Sequence, residues 1–138
     1  MVSHVVLFKT RTDLVEADRK ALAVAFERAI RDIPTVQRVR FGRRLMHGAG
    51  YEEHAADSAD YLVMVDFNDL AGLQTYLRHP AHEELGARFR QSISSALVYD
   101  FQVGGIEDLR RWRVLLDRAG ASHDPSHRAV HEPGYRPA

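Results

Sequence analysis

The alternation of apolar and polar positions predicts β-strands at Val2–Lys9, Val36–Arg44, Tyr61–Phe67 and Ala96–Val103. The second strand is the most polar of them, and Gly42 within it is a candidate bulge position. The first and third strands have apolar residues at both odd and even positions, so neither face of the sheet is expected to meet water.

Helical spacing of apolar residues indicates helices between these strands. Asp13 and Glu16 resemble a capping box, and the helix that follows is predicted to run to Ile33. After the third strand, Asn68 or Asp69 is expected to cap a short helix that ends near residue 78. A further helix is predicted from residue 80, where proline fits a first turn, and segment 47–60 is predicted to be a mobile loop.

The element order β-α-β-β-α-β predicts an α+β, ferredoxin-like fold. Its split β-α-β sheet has four antiparallel strands, with the helices on one face. The apolar residues on the other face require a cover, because a large exposed apolar patch is unusual for a stable monomer. We therefore expect a homodimer in which two copies pack their sheets face to face.

The last third of the chain departs from this pattern, so we divide it into a domain at 1–103 and an extension at 104–138. Gly104 and Gly105 form a flexible joint, and the apolar residues that follow at helical spacing predict one more helix. After Gly120 the sequence is rich in proline and poor in apolar residues, which predicts a tail or an arm.

Composition removes several classes of function. The 138 residues contain 19 basic and 19 acidic side chains and no cysteine. The absence of cysteine excludes disulfides, thiolate catalysis and zinc–thiolate sites, and the balanced charge disfavours nucleic-acid partners. The opening segment has no basic leader and no apolar run of membrane-spanning length, so we expect a cytoplasmic protein without a membrane partner.

Four stretches, "SHVVLFK", "YLVMVDF", "YLRHPAH" and "LVYDFQV", resemble the stress-responsive dimeric α/β-barrel (Dabb) domain family over residues 2–103. The resemblance implies a homodimer whose sheets form a barrel. The family includes stress-induced proteins without an established reaction and polyketide cyclases. The resemblance to the cyclases implies that Tyr76 and His82 are the catalytic pair and that His4 lines the substrate pocket. Where the cyclase pattern has a third-strand histidine, this chain has Tyr61.

The residues themselves support proton chemistry. His82 lies at the start of a helix, where the helix dipole and burial both disfavour imidazolium, so it is expected to be a neutral general base. It shares an inward face with Phe89, and His4 shares one with Phe8, which makes the two phenylalanines candidate substrate-binding residues. The Tyr76 hydroxyl could donate to a developing enolate without any metal or cofactor.

Structural roles are the alternatives for these side chains. His79 fits a helix cap before proline, Tyr76 could be bonded to backbone, and His4 and His82 could be packing residues. The histidines that recur every fourth position in the tail, and the acidic loop, are weak metal candidates. These residues are His123, His127 and His131, and Glu52, Glu53, His54 and Asp57.

Three functions follow. The first is a small-molecule-binding protein that acts as a cofactor-independent acid–base enzyme of the polyketide-cyclase type. Such an enzyme would be a cyclase or lyase on a polyketide-like carbonyl substrate. The second is a non-catalytic stress-responsive binding protein, and the third is a cofactor-independent monooxygenase. An open cavity onto which Tyr76 and His82 converge would favour catalysis over the structural alternative.

Overall fold

A computed structural model of the protein describes residues 1–57 and 59–121. The strands are β1 (Val2–Thr10), β2 (Arg38–Arg43), β3 (Tyr61–Phe67) and β4 (Ile93–Gln102). They form one antiparallel sheet in the order β2-β3-β1-β4. The sheet of a single chain is open, and its topology confirms the ferredoxin-like fold predicted from the element order.

The helices are α1 (Glu16–Asp32), α2 (Leu70–Arg78), α3 (Pro80–Ser92) and α4 (Asp108–Ala121). The chain divides into two compact units, of which the first is Met1–Val103 and the second begins at Gly104 and contains α4. Within the first unit, α1 and α3 pack against each other and α2 contacts β1 and β3.

Two local predictions are wrong. Helix α1 begins after Val15, whose aliphatic side chain cannot cap it, and the Asp13 carboxylate that was predicted to cap the helix is bound by the Arg11 guanidinium at 3.0 Å. Gly42 pairs in regular register with Leu62, and the irregularity of the sheet lies between Lys9 and Thr10.

Other local predictions are confirmed. The Gly72 N–H donates to the Asp69 carboxylate at 2.8 Å, so Asp69 caps α2. The Ala81 N–H donates to Nδ1 of His79 at 3.1 Å, so His79 caps α3. Within the segment that was predicted to be a mobile loop, Gly50–Glu53 form a short 3-10 helix, which the sequence did not predict.

The core lies between one face of the sheet and the helices, and its most buried apolar side chains are Ala29, Ile33, Val65, Phe67 and Leu73. The other face of the sheet is uncovered in a single chain: Leu97, Tyr99 and Phe101 of β4 are 40%, 53% and 51% exposed. Among the described residues of that face, Ser3 and Asp66 are the fully buried ones, and they are joined by a 2.5 Å hydrogen bond from the serine hydroxyl. The apolar second face expected from the strand pattern is therefore present.

Candidate active site

A cavity of about 840 Å³ lies between the inner face of the sheet and helices α1 and α3. Most of its wall is apolar, as is usual for small-molecule sites. The structure places all the side chains chosen from the sequence on this wall, namely His4, Phe8, Tyr61, Tyr76, His82 and Phe89.

The junction of α2 and α3 brings Tyr76 and His82 together. Helix α2 ends at Arg78, and His79 is both its C-cap and the N-cap of α3. Tyr76 therefore lies in the last turn of one helix and His82 in the first turn of the next. Their ring centroids are 4.7 Å apart, with an angle of 60° between the ring planes.

Tyr76 is 2% exposed, and its ring packs against Phe67 with centroids 5.1 Å apart. Its hydroxyl has no hydrogen-bond partner among the residues that the structure describes, so it is available to a ligand in the cavity. Burial raises the pKa of Tyr76 to about 12, and the phenol is consequently a protonated donor at neutral pH.

The pKa of His82 is lowered from its ordinary value, first by burial and next by the electrostatic interaction with nearby His4. A hydrogen bond to the Leu77 backbone and the charge of Glu83 act in the opposite direction but do not reverse the shift. The imidazole is therefore neutral near pH 7, which is the form that a general base requires.

An aspartate that the sequence analysis did not choose completes the polar group. Asp100 Oδ1 lies 2.6 Å from Nδ1 of His4, and the two residues are register partners on β4 and β1. A carboxylate only accepts, so Nδ1 of His4 carries the proton and Nε2 of the neutral ring is an acceptor. The available signal was an acidic residue within the apolar run "LVYDFQV".

Aromatic side chains form the wall beyond this polar group. Phe8 lies between Tyr61 and Phe89, with ring centroids 5.5 Å and 5.4 Å away. Phe41, another residue that the sequence did not single out, stacks on Tyr61 at 5.8 Å. The charged side chains that reach this cavity, apart from histidines, are Arg19, Glu27 and Arg90.

Two of the candidate metal ligands of the acidic loop, Glu52 and Asp57, have other partners. Glu52 accepts hydrogen bonds from the backbone N–H groups of His47 and Gly48, and Asp57 is paired with Lys9 at 3.0 Å. No cluster of three metal-ligating side chains occurs in residues 1–57 and 59–121. His123, His127 and His131 lie outside the described residues. Within the described chain, no helix is long and apolar enough to cross a membrane.

Known proteins share this architecture. Olivetolic acid cyclase from Cannabis sativa is 22% identical over 100 residues, which cover 72% of this chain and 94% of the cyclase. Among solved structures, a protein from Arabidopsis thaliana has a TM-score of 0.64 at 18% identity, covering 77% of this chain and 98% of its own. Hydroxynitrile lyase from Passiflora edulis has a TM-score of 0.63 at 16% identity, covering 75% and 93%.

A dimeric ferredoxin-like protein of unknown function from Thermobifida fusca has a TM-score of 0.58 at 22% identity, covering 74% of this chain and 90% of that protein. At these identities the structural similarity establishes the fold alone. The model of the stress responsive A/B barrel domain, Dabb, matches residues 2–103. The chain therefore belongs to the Dabb family.

Proposed function

We propose that the protein is a cofactor-independent acid–base enzyme of the polyketide-cyclase type, which closes a ring in a carbonyl substrate held in the cavity. The observation that carries this proposal is the convergence of Tyr76 and His82 on one open space. The first presents an unpartnered phenol, and the second an imidazole of lowered pKa. The similarity to a protein named as a cyclase supports the same class of reaction.

In the proposed reaction each polar group has its own role. His82 takes a proton from the carbon between two carbonyls, and the electron pair of the broken C–H bond forms an enolate. The Tyr76 hydroxyl donates a hydrogen bond to the enolate oxygen and so stabilises the charge as it develops. The enolate carbon attacks a second carbonyl of the same chain, and the His82 imidazolium returns its proton to the new alkoxide.

His4 has a supporting role in this scheme. Asp100 fixes its tautomer, which leaves Nε2 free to accept from a substrate hydroxyl or a water. General acid–base help of this kind contributes about 10²–10⁴-fold to a rate. The aromatic wall of Phe8, Tyr61 and Phe89 binds the apolar part of the substrate and excludes water.

The proposed assembly is a cytoplasmic homodimer in which residues 1–103 form the functional domain. Leu97, Tyr99 and Phe101 lie on the sheet face away from the cavity, since they alternate along β4 with Val98, which lines the cavity. A second copy on that face would remove this surface from water while leaving the cavity accessible.

The test is turnover of a linear poly-β-keto substrate, followed by chromatography of the cyclised product. His82→Ala and Tyr76→Phe should each lower kcat by at least about 100-fold, in line with the loss of a general base or a hydrogen-bond donor. Matched controls are His54→Ala and Tyr51→Phe, because both residues lie in the exposed loop and neither lines this cavity.

Equal rates for the parent and the two site variants would contradict the catalytic assignment. A parent protein that binds such substrates in the cavity without converting them would instead support the non-catalytic binding protein. Circular dichroism of each variant confirms that a loss of rate is not a loss of fold.

A further inference from the structure

One face of α3 lines the cavity, and its residues are His82, Leu85, Gly86, Phe89 and Arg90. Gly86 has no side chain, so the space beside it on this face is open. A Cβ atom at Gly86 would lie 3.4 Å from Nη1 of Arg90. The Arg90 side chain therefore bends back toward the start of the helix and places its guanidinium over the glycine.

This position places a positive charge on the cavity wall that also carries the proposed base. Residues 82 and 86 are one turn apart on α3, which corresponds to about 6 Å along the helix axis. The Arg90 guanidinium thus lies over a residue one turn from His82, on the same wall of the cavity. Long helical side chains commonly point in this direction, so the geometry needs no strain.

The Arg90 guanidinium has no acidic partner within the described chain. Arg28 of α1 is paired with Glu84 of α3 at 3.0 Å, whereas Arg90 has no ion pair or hydrogen bond there. Glu27 is the acidic side chain of α1 on the cavity wall, and it does not come within 4.0 Å of Arg90. An unpaired guanidinium beside an apolar cavity presents several donors, arranged as a planar fork that matches a carboxylate.

We propose that Arg90 is the anion-binding group of this cavity, and that the substrate is a carbonyl compound with a free carboxylate near the carbon that His82 deprotonates. The proposal rests on the proposed function for the identity of the base, but the anion site itself is a claim about binding. A free keto acid fits this arrangement, whereas a neutral ester or amide of the same chain would leave the guanidinium without a partner.

Binding rather than turnover tests the proposal. The probes are 4-oxononanoate and its neutral amide, titrated separately by calorimetry at low ionic strength. The parent should bind the acid about fivefold more tightly than the amide, a modest preference because the exposed guanidinium is screened by water. Arg90→Gln should abolish the preference, and Arg90→Lys should retain part of it.

Two further variants separate this role from others. Arg88→Gln is the matched control, since Arg88 is exposed on the same helix and does not line the cavity. It should keep the full preference. Glu27→Gln should strengthen binding of the acid, because it removes a negative charge from the cavity wall. If Arg90 were only a structural partner of Glu27, Glu27→Gln and Arg90→Gln should change the binding of the acid in the same direction.

Equal affinity of the parent for acid and amide, or no binding of the acid at millimolar concentration, would overturn the proposal. So would an acid preference that survives Arg90→Gln or disappears in Arg19→Gln alone. An acid preference in a protein that turns over no poly-β-keto substrate would contradict the proposed reaction while leaving the anion site in place.

Discussion

Nδ1 of His4 and Oδ1 of Asp100 lie 2.6 Å apart across neighbouring strands, at positions that are paired in the sheet register. His4 is 7% exposed and faces the cavity, whereas the Asp100 side chain is 46% exposed. The partly exposed Asp100 carboxylate thus sets the tautomer of the buried His4 ring. The nearest aromatic neighbour of that ring is Tyr76, with centroids 6.0 Å apart.

Asp100→Asn tests whether this pair positions His4. The amide can present an N–H to Nδ1 and so favour the other tautomer, which would remove the free acceptor at Nε2. We expect kcat for cyclisation to fall by about tenfold with little change in KM, since the residue acts through another group. The measurement is steady-state kinetics together with ¹⁵N NMR of the His4 ring, which reports the tautomer directly. Asp13→Asn is the control, and an unchanged ring spectrum would contradict the assignment.

The lowered pKa of His82 determines the acid limb of the pH profile. A general base works as neutral imidazole, so kcat/KM should be constant above that pKa and fall as the pH drops through it. Because the shift is downward, the midpoint should lie below the ordinary histidine value of 6.5. A midpoint above 6.5 that disappears in His82→Ala would show that the imidazole is not desolvated as the structure has it.

The same shift predicts a pH dependence of stability. The unfolded chain binds a proton at a higher pH than the folded chain, so the stability contribution is complete above 6.5 and is lost as the pH falls through the folded pKa. His82→Gln should therefore flatten the decline in unfolding free energy between neutral and mildly acidic pH. Urea denaturation of both proteins at several pH values measures the difference, and parallel curves would contradict the prediction.

Tyr76→Phe separates the hydroxyl from the ring. The ring is buried and packs against Phe67 and His82, while the hydroxyl bonds to no described residue. The substitution should therefore change the unfolding free energy by less than about 0.5 kcal/mol, which is the range of changes that break no contact. Denaturant titration provides the measurement. A loss of more than about 1 kcal/mol would show that the hydroxyl has a structural bond.

The sequence predicted the sheet well because its signal is local and repeated. Strand β3 lies at the predicted bounds, Tyr61–Phe67, since a short apolar run with two valines and aromatic residues at both ends is typical of a strand. The start of α1 was misplaced because Asp13 had a competing partner in Arg11, and charge pairs of this kind leave no periodic trace. Gly42 was misread because a glycine in a polar edge strand can also pair regularly.

The candidate site was predictable only in part. Tyr76 and His82 were chosen because the motif "YLRHPAH" resembles the family pattern, and the structure brings both to one helix junction on the cavity wall. Asp100 was missed because its importance depends on the register between β1 and β4, which requires pairing residues 96 positions apart. Arg90 was missed for a different reason: its significance comes from the missing side chain at Gly86, and a glycine within a helical pattern gives no sign of what lies over it.

If the uncovered sheet face is the dimer interface, a charged residue placed on it should weaken the homodimer. Phe101→Asp places a carboxylate on the face that we propose a second copy covers, so the dimer should dissociate at micromolar concentration. Sedimentation equilibrium distinguishes one chain from two. Val24→Asp is the control, because Val24 is comparably exposed at 47% but lies on α1. A parent protein that sediments as one chain would contradict the homodimer.

Gly86→Ala should raise the stability of the protein and weaken its preference for the acid over the amide. Glycine inside a helix costs about 0.5–1 kcal/mol relative to alanine, so the variant should be more stable by about that amount. The new methyl group would lie 3.4 Å from Nη1 of Arg90, at the close limit of van der Waals contact, so the flexible guanidinium would shift slightly from its place over the helix. The preference for 4-oxononanoate over its amide should therefore weaken by about twofold, while Tm rises.

Urea denaturation and calorimetric titration of the same preparation measure both effects of Gly86→Ala. Ala87→Gly, on the exposed side of the same helix, is the reciprocal control: it should lower stability and leave the acid preference unchanged. If Gly86→Ala raises stability but the acid preference stays intact, the guanidinium does not depend on the open space over the glycine. The position of Arg90 would then be set by the ligand rather than by the fold.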